Sequence, residues 1–298
     1  SGWPLPPNVF GDIGLIAGGN TPTDTASIEY VNIATSGSGT TFGDLTVARD
    51  SLTGLGSSTR GIFGGGAVYN IIEFVTFSTT GNAQDFGDLI MSGRDTAACS
   101  NETRGIFGGG TSYNNIDYIT ISSAGNATDF GDMLTSVGRM AACSSPTRGV
   151  WGGGNSSAPE SNVVQYVTIA TTGNSTDFGD LTIGMNRNAA VSSSTRGVFS
   201  AGLSSGNYNN TINYITIAST GNASDFGDMT TTKYGAANGN LSNSTYGMMA
   251  GGTSNVADYV NEILYITIAS TGNTSDFGDL ITGREKLGAC SNSHGGLS

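Results

Sequence analysis

The sequence is dominated by an internal repeat. The segment Phe-Gly-Asp, followed by Leu or Met, occurs six times in 298 residues, in steps of 44, 44, 48, 48 and 51 residues. The copies begin at Phe42, Phe86, Phe130, Phe178, Phe226 and Phe277. An aromatic residue precedes each phenylalanine by 12 positions, and a glycine-rich segment such as 108–110 follows at 22 or 24. A repeat of this length indicates one structural unit per copy.

Each copy contains four segments with strand character. In the third copy they are residues 94–100, 104–110, 116–122 and 128–134, rich in Thr, Ile, Tyr and Phe. An Ala-Gly-Asn-Ala segment between the last two predicts a tight hairpin turn, because Gly and Asn accept positive φ angles at low cost. Four antiparallel strands in 44 to 51 residues are typical of one propeller blade. The sequence therefore predicts an all-β, six-bladed β-propeller.

The ends of the chain predict how the ring closes. The N-terminal copy has no first strand, and residues 283–293 match a first strand with no further blade after it. Joining the two completes blade 1 and removes the open sheet edge. One domain over 1–298 follows, with blades at 8–45 plus 281–293, 46–89, 90–133, 134–181, 182–229 and 230–280. We expect the tails, 1–7 and 294–298, to lie outside the ring.

The composition narrows the classes of partner. The chain has 11 basic and 23 acidic residues, a net charge of −12, and only 11% charged residues. Such a chain repels phosphate backbones and anionic lipid surfaces. Its longest apolar segments are far shorter than the roughly 20 residues of a membrane helix. We expect no nucleic-acid binding and no membrane insertion.

Residues for catalysis or metal binding are scarce. The single histidine, His294, lies in the C-terminal tail, where we expect it to be solvated, and it supports neither a multi-histidine metal site nor a Ser-His-Asp arrangement. The three cysteines, Cys99, Cys143 and Cys290, share one repeat position with Leu and Val, so we expect buried free thiols. The sequence predicts a protein that is not an enzyme and has no cofactor.

The charged residues recur with the repeat, which favours ion pairs. Ten of the eleven cations lie at two repeat positions, before the first or the second strand of a blade. Arginine forms two hydrogen bonds with a carboxylate, so we expect structural pairs with the Phe-Gly-Asp aspartates. The residues are Asp44, Asp88, Asp132, Asp180, Asp228 and Asp279 with Arg49, Arg94, Arg139, Arg187 and Arg284. Calcium at the repeated acidic pairs stays open as the alternative, although the usual calcium-loop pattern is missing.

One loop per repeat carries nearly all of the length variation. It joins the second and third strands, and such loops emerge on one face of a propeller. Tyr, Asn, Ser and Gly fill it, the residues that adaptable binding loops favour. The candidate partner-binding residues are Tyr69, Asn70, Tyr113, Asn114, Asn115, Pro159, Glu160, Tyr208, Asn209 and Tyr259. Ordinary solvated loops are the alternative.

The repeat resembles that of kelch-type β-propellers. Kelch repeats have a basic residue before the first strand, small residues along it, an aromatic and a double glycine ending the second, Tyr in the third and a large aromatic in the fourth. Here those places hold Arg94, 97–98, 107–110, Tyr118 and Phe130. The usual fourth-strand Trp is Phe in all six copies. The resemblance implies the fold but no particular function, because one propeller serves many functions.

Residues 220–228, Thr-Gly-Asn-Ala-Ser-Asp-Phe-Gly-Asp, are also similar to repeats in virion structural proteins of marine bacteriophages. That resemblance implies a tail, fibre or surface component, assembled in the host cytoplasm and exposed outside the cell. Its partners would be other virion proteins or a host surface receptor, which includes receptors that are glycans. A carbohydrate-binding propeller lectin is the alternative function. An enzyme on a propeller scaffold has no matched acid, base or metal site in the sequence.

Overall fold

The protein folds into a closed ring of six antiparallel β-sheets, a six-bladed β-propeller. The computed structural model describes residues 12–111, 113–155, 159–200 and 202–297. The predicted tail 1–7 therefore lies outside the described residues. Within these ranges, all regular secondary-structure elements are β-strands. Within the described ranges, no helix has the length and apolar character needed to cross a bilayer.

Blades 1 to 3 each contain four strands in the order predicted, numbered from the channel outward. In blade 1 the innermost strand is C-terminal, and its Cys290 lies opposite Leu15 of the second strand. This confirms the predicted ring closure. The strands of blade 1 are Gly288–Ser291, Ile13–Ala17, Ser27–Asn32 and Thr40–Asp44. Those of blade 2 are Thr53–Gly56, Arg60–Gly64, Ile71–Thr76 and Gln84–Asp88, and those of blade 3 are Ala97–Ser100, Arg104–Gly108, Asn115–Thr120 and Thr128–Asp132.

Blades 4 to 6 follow the same order, with an irregular inner segment in blade 6. The strands of blade 4 are Gly138–Ser144, Arg148–Asn155, Val163–Thr168 and Thr176–Asp180. Those of blade 5 are Ala189–Ser192, Arg196–Ser200, Thr211–Thr216 and Ser224–Asp228, and the regular strands of blade 6 are Tyr246–Ala250, Glu262–Thr267 and Ser275–Asp279. Two small pairs lie in the connections, Leu203–Ser204 with Asn207–Tyr208 and Lys233–Tyr234 with Thr253–Ser254.

The inner segment of blade 6 bulges into the channel. Ala237 and Met248 donate backbone hydrogen bonds to Ala250 and Leu241, so the segment stays beside the second strand. Between these bonds, the Nδ2 of Asn238 reaches across the ring to the carbonyl of Thr96 in blade 3 (3.0 Å). Two extra residues in this copy make the bulge possible. The channel is therefore obstructed at this level.

Edge-to-face aromatic pairs explain the constant spacing of 12 residues. Tyr118 in the third strand and Phe130 in the fourth have ring centroids 6.0 Å apart at an interplanar angle of 76°. Corresponding pairs occur in every blade, from Tyr30 and Phe42 to Tyr265 and Phe277. Such pairs add about 0.5–1.5 kcal/mol beyond the area they bury. Changing the connection length would shift one ring away from the other.

The Gly-Asn turn joins neighbouring blades. The third and fourth strands of blade 3 are separated by seven residues, 121–127, so the predicted tight hairpin is wrong. The N–H groups of Gly125 and Ala127 donate to the carbonyls of Phe86 and Asp88 in blade 2 (2.7 and 2.8 Å). The turn is long because it must reach the fourth strand of the preceding blade.

This interlock closes the whole ring. Two backbone hydrogen bonds from turn to fourth strand occur at all six interfaces, including the closing one, where Gly37 and Gly39 donate to Phe277 and Asp279 of blade 6. The glycine of each Phe-Gly-Asp motif lies against the turn backbone. A Cβ on Gly278 would lie 2.6 Å from the carbonyl oxygen of Gly37.

The glycine triplets form a second set of bonds between blades. The N–H of Gly110 donates to the carbonyl of Val137 at the start of blade 4 (3.2 Å), and Gly154 donates likewise to Met185 (2.7 Å). An equivalent bond leaves every blade. These glycines have positive φ angles, 138° at Gly110 and 90° at Gly154, which glycine adopts most readily. The triplets therefore allow close backbone contact between neighbouring blades.

The three cysteines are buried free thiols, as predicted. Burial raises the pKa of Cys99, Cys143 and Cys290. The Sγ atoms pack against the glycine that follows the opening arginine of the next blade's second strand, as Cys99 does at Gly149. Their role is to fill space between blades.

The prediction for the C-terminal tail is wrong. Residues 294–296 are buried, with His294 only 1% exposed, and they enter the end of the channel where the inner strands finish. The Nε2 of His294 lies 3.1 Å from the carbonyl oxygen of Gly56 and 3.3 Å from the Oγ of Ser100. The N–H of Gly295 donates to the carbonyl of Ser192 (3.1 Å). The tail is small enough to follow the channel, so it plugs that end.

We predict that Gly278→Ala destabilises the ring far more than Gly37→Ala, although both lie in the same interface. A Cβ at Gly278 meets backbone at 2.6 Å, whereas one at Gly37 meets nothing within 4 Å. We expect the free energy of unfolding to fall by about 2–4 kcal/mol in Gly278→Ala and by less than about 0.5 kcal/mol in Gly37→Ala. Urea unfolding measures both, and equal losses would contradict the interlock.

We predict that stability depends on pH through His294. Burial lowers its pKa from 6.5 to about 4, despite the opposing hydrogen bond with Gly56. The unfolded chain therefore binds this proton at a higher pH than the folded protein, so stability falls as the pH drops from about 6.5 to about 4, by up to about 3 kcal/mol.

The matched variant is His294→Gln. The sequence contains no other histidine, so the two proteins differ in their titratable side chains only at this position. Urea unfolding at pH 7, 5.5 and 4.5 should therefore give a gap between the two proteins that changes with pH. Parallel curves would disprove a buried neutral imidazole.

Candidate partner-binding face

The connections between strands divide the ring into two unlike faces. Because the strands alternate in direction, the loops from second to third strands and the connections from fourth strands to the next blade share one face, here called the loop face. The opposite face carries the Gly-Asn turns. Large apolar side chains exposed among the described residues all lie in loop-face connections. They are Val68, Ile90, Met91, Leu134, Val256 and Ile281.

Sequence reasoning missed these apolar residues, although a signal was present. The residue after each Phe-Gly-Asp-Leu/Met segment is Thr in three copies but Ile90, Leu134 or Ile281 in the others. These three side chains are 48–57% exposed. Because other copies carry Thr at this position, an aliphatic residue is not needed there for the core. The exposed aliphatic side chains therefore belong to the surface of the loop face.

Several predicted loop asparagines are occupied by local hydrogen bonds. The Nδ2 of Asn70 donates to the carbonyl of Leu89 (3.3 Å), and that of Asn115 donates to Asp117 Oδ1 (2.9 Å). The Oδ1 of Asn209 accepts the N–H of Thr211 (2.6 Å). Asn114 remains exposed. The first three shape the loops, and Asn114 presents its side chain to solvent.

Other predicted residues connect neighbouring loops. Glu160 accepts hydrogen bonds from Asn186 Nδ2 (3.3 Å) and from the N–H of Ser205 (3.0 Å), and so links the loop of blade 4 to blade 5. The hydroxyl of Tyr259 donates to Asn20 Oδ1 (3.2 Å), which links blades 6 and 1. The loops therefore support one another on this face.

The remaining predicted residues are partly open to solvent. Pro159 is exposed, and Tyr69, Tyr113 and Tyr208 are half-buried. The Tyr113 ring lies against Gly93 and Gly110, and the Tyr208 ring lies 5.2 Å from that of Tyr234. Each of these tyrosines leaves part of its side chain accessible on the loop face.

A cycle of backbone hydrogen bonds surrounds the channel on the loop face. One residue per blade donates its N–H to the carbonyl of the corresponding residue in the preceding blade, with N···O distances of 2.7–3.3 Å. All six have positive φ angles between 53° and 65°. They are Ser51, Asp95, Arg139, Arg187, Gly235 and Lys286. We call this cycle the mouth ring.

The structure corrects the predicted ion pairs. Arg49 and Arg284 are fully buried and pair with glutamates of the third strand of their own blades, Glu73 (2.8 Å) and Glu29 (2.9 Å). Burial lowers the pKa of both arginines, and the glutamates oppose that shift. A fully buried guanidinium needs a carboxylate that is also buried, whereas the Phe-Gly-Asp aspartates are exposed or half-buried.

The other predicted cations differ in position and partner. Arg139 and Arg187 belong to the mouth ring, Arg139 pairs with Asp95 (3.2 Å), and Arg94 is exposed. Lys233 corresponds to Arg49 and pairs with Glu262 (3.4 Å), and burial lowers its pKa to about 8. The cations before the first strands therefore lie at three different places, the core, the mouth ring and the exposed surface. The spacing of the repeats predicted a single position for all of them.

Within the described chain, the Phe-Gly-Asp aspartates form no ion pair with a basic side chain. Their backbone is what joins the blades. The N–H of Asp132 donates to Asn174 Oδ1 of the next turn (3.0 Å), and the same bond occurs at four further interfaces. At the closing interface Ser38 Oγ accepts the N–H of Asp279 instead (3.3 Å). The predicted pairing of Asp44, Asp88, Asp132, Asp180, Asp228 and Asp279 with arginine is wrong.

The arginines that open the second strands do connect blades. The guanidinium of Arg104 stacks 4.5 Å from the ring centre of Tyr118 and donates to the carbonyl of Ile169 in blade 4 (2.8 Å). Arg60, Arg148 and Arg196 make the corresponding contacts. These arginines therefore join neighbouring blades, with a backbone carbonyl oxygen as the acceptor.

Among the described residues, no group of three or more His, Cys, Asp or Glu side chains is placed to hold a metal ion. The loop face combines exposed aliphatic residues, tyrosine rings and hydrogen-bonding loops around a charged centre. On such a surface, apolar side chains supply contact area for a partner, and hydrogen-bonding groups supply specificity.

We predict that the buried pair of blade 2 can be exchanged for the neutral pair of blade 4. Val137 and Gln165 occupy there the positions of Arg49 and Glu73, and Gln165 Oε1 accepts the N–H of Leu134 (2.9 Å), as Glu73 Oε1 accepts that of Thr46 (2.7 Å). Arg49→Val alone should cost about 3–5 kcal/mol by leaving Glu73 unpaired.

Adding Glu73→Gln to Arg49→Val should recover most of that loss. Asp88→Asn, at a Phe-Gly-Asp position, serves as the control and should change stability by less than about 0.5 kcal/mol. Urea unfolding of the unmodified protein, Arg49→Val, Glu73→Gln and the double variant supplies the double-mutant cycle. Additive losses from the two changes in blade 2 would contradict the coupling.

Comparisons with known proteins add no family name to this fold. A scan against protein-family models finds no match, and a search of curated proteins finds none either.

Proposed function

We propose that this protein is a non-enzymatic binding module that contacts its partner through the loop face. The observation that carries the proposal is the segregation of exposed large apolar side chains to that face. Solvating such residues is unfavourable, and covering them with a partner releases that cost. The turn face offers polar turns and a plugged channel. His294, the one histidine, is enclosed in the plug and unavailable as a surface base.

We further propose that the module is a component of a bacteriophage particle, in its tail, fibre or surface, and is of the kelch type. The similarity of residues 220–228 to virion repeats and the kelch-like strand pattern support this assignment. The interlocked ring suits a protein exposed outside the cell, because backbone hydrogen bonds at all six interfaces join its blades. Its partner would be a host receptor or a neighbouring virion subunit.

A lectin is the second candidate, favoured by the tyrosine faces beside loop amides such as Asn114. Aromatic rings and hydrogen-bonding groups together suit a sugar. A glycan array distinguishes the two, because a lectin acting through the repeat would present several equal sites for one neutral sugar.

We predict that Ile90→Thr with Leu134→Thr weakens partner binding at least tenfold without unfolding the protein. Thr46, Thr182 and Thr230 already occupy this position in other blades. Binding to the cells on which the source particle grows, or to particles lacking the protein, is the measurement. Ser123→Ala with Ser219→Ala on the turn face is the control. Equal binding by both double variants would contradict a loop-face site.

The particle assignment has its own test. Mass spectrometry of gradient-purified particles from the source culture should detect the chain at constant stoichiometry. Protein found only as free monomer in the medium would overturn the virion role and leave the binding role to the cell assay.

A further inference from the structure

The mouth ring encloses a small blind pocket on the axis of the propeller. Its volume is about 30 Å³, and Arg187, Asn188, Asn238 and Lys286 are among the residues that line it. The bulge of blade 6 forms its floor, because Asn238 crosses the channel to Thr96. This volume accepts one functional group of a ligand, while the rest must lie above it on the loop face.

The side chains of the mouth ring are retained at a cost in backbone strain. A non-glycine residue with a positive φ angle is strained, because its Cβ lies too close to the following carbonyl oxygen. Gly235 demonstrates that glycine fits this position, yet the other five blades place a side chain there. Three of the five are cations, in a chain with only 11. Strain of this kind collects at functional sites.

Arg187 is the cation of this mouth that is available for a ligand. Lys286 pairs with Glu285 (2.9 Å) and Asp50 (3.5 Å), and Arg139 pairs with Asp95 (3.2 Å). Within the described residues, the Arg187 guanidinium has no carboxylate partner. It lies 5.3 Å from the ring centre of Tyr234. A planar guanidinium held in this way is suited to a carboxylate, which it can bind with two hydrogen bonds.

The pocket also contains acceptors without donors. Asn188 is 2% exposed, and its Oδ1 has no hydrogen-bond partner, since its Nδ2 donates to the carbonyl of Gly152 (3.2 Å). The Oδ1 of Asn238 is likewise without a partner. A buried acceptor without a donor is unfavourable, because it has lost its hydrogen bond to water. A ligand that fits must therefore bring hydroxyl or N–H donors together with its negative charge.

We propose that the mouth pocket binds the carboxylate end of an acidic saccharide. The carboxylate lies above the pocket against Arg187, one hydroxyl group of the ligand enters the pocket and donates to the Oδ1 of Asn188, and the sugar ring lies against Tyr208 and Tyr234. Gly235 leaves this side of the mouth open, because a Cβ there would meet nothing closer than 3.6 Å. The inference rests on the proposed binding function and names the chemistry of its partner.

The probe is methyl β-D-glucuronide, and methyl β-D-glucoside is its neutral match. In NMR titrations of the full chain, the glucuronide should shift signals of the mouth ring and bind at least tenfold more tightly than the glucoside. Arg187→Gln should remove this preference. Arg94→Gln is the control, since Arg94 is exposed and lies outside the pocket.

Two further variants use residues that the mouth ring already contains. Gly235→Asp places a carboxylate at the mouth-ring position next to Arg187, on the side away from Arg139, and should reduce glucuronide binding at least tenfold. Gly235→Ser, like Ser51, adds a neutral side chain of similar size and should reduce it less. These variants keep the test decisive if Arg187→Gln does not fold.

Equal affinity for glucuronide and glucoside would overturn the inference, and so would an absence of glucuronide binding. Binding of inorganic sulfate as tightly as glucuronide would also overturn it, because the site would then select charge alone. If the glucuronide fails while Ile90→Thr with Leu134→Thr still weakens attachment to cells, the proposed function stands without this ligand. If both fail, the loop face is not the binding face.

Discussion

The fold depends on one contact, the docking of each Gly-Asn turn onto the fourth strand of the preceding blade. Each contact uses backbone groups, so it tolerates variation in neighbouring side chains while requiring glycine where two backbones meet. The same contact joins blades 6 and 1, where Gly37 lies opposite Gly278. The closing interface has the same two backbone hydrogen bonds as the other five. It differs from them in having a serine in place of the turn asparagine.

The blades share this backbone but use different side chains to accept the hydrogen bond of one recurring backbone N–H group. Each must satisfy the N–H of the residue after the Phe-Gly-Asp-Leu/Met segment. Blades 1 and 2 use glutamates that also hold a buried arginine, whereas blade 4 uses the neutral Gln165 beside Val137. In blade 6 the third strand has Leu264 at this position, and Thr274 Oγ1 accepts the bond instead. A buried glutamate is therefore found at this position only in blades where a buried cation pairs with it.

The two ends of the channel are unlike because different parts of the chain occupy them. The tail with His294 fills one end, and the bulge at Asn238 closes the channel beneath the other. The fold thus leaves a shallow charged mouth surrounded by loops, with aliphatic residues further out. Partner binding through this face is consistent with a scaffold whose other face consists of turns engaged in holding the ring together.

The sequence by itself determined the number of blades, their strand order, the closure by the C-terminal strand and the burial of the cysteines. The number of blades and the strand order follow from the spacing of the six copies, closure follows from the first strand that the N-terminal copy lacks, and burial of the cysteines follows from their exchange with Leu and Val at one repeat position. The tertiary structure alone decided the partners of Arg49 and Arg284, the buried place of His294 and the grouping of Ile90 with the other exposed aliphatic residues. These depend on distances between residues in different strands, which no spacing records. Arg49 and Arg139 look equivalent along the chain, but two residues of offset place one in the core and the other at the mouth of the channel.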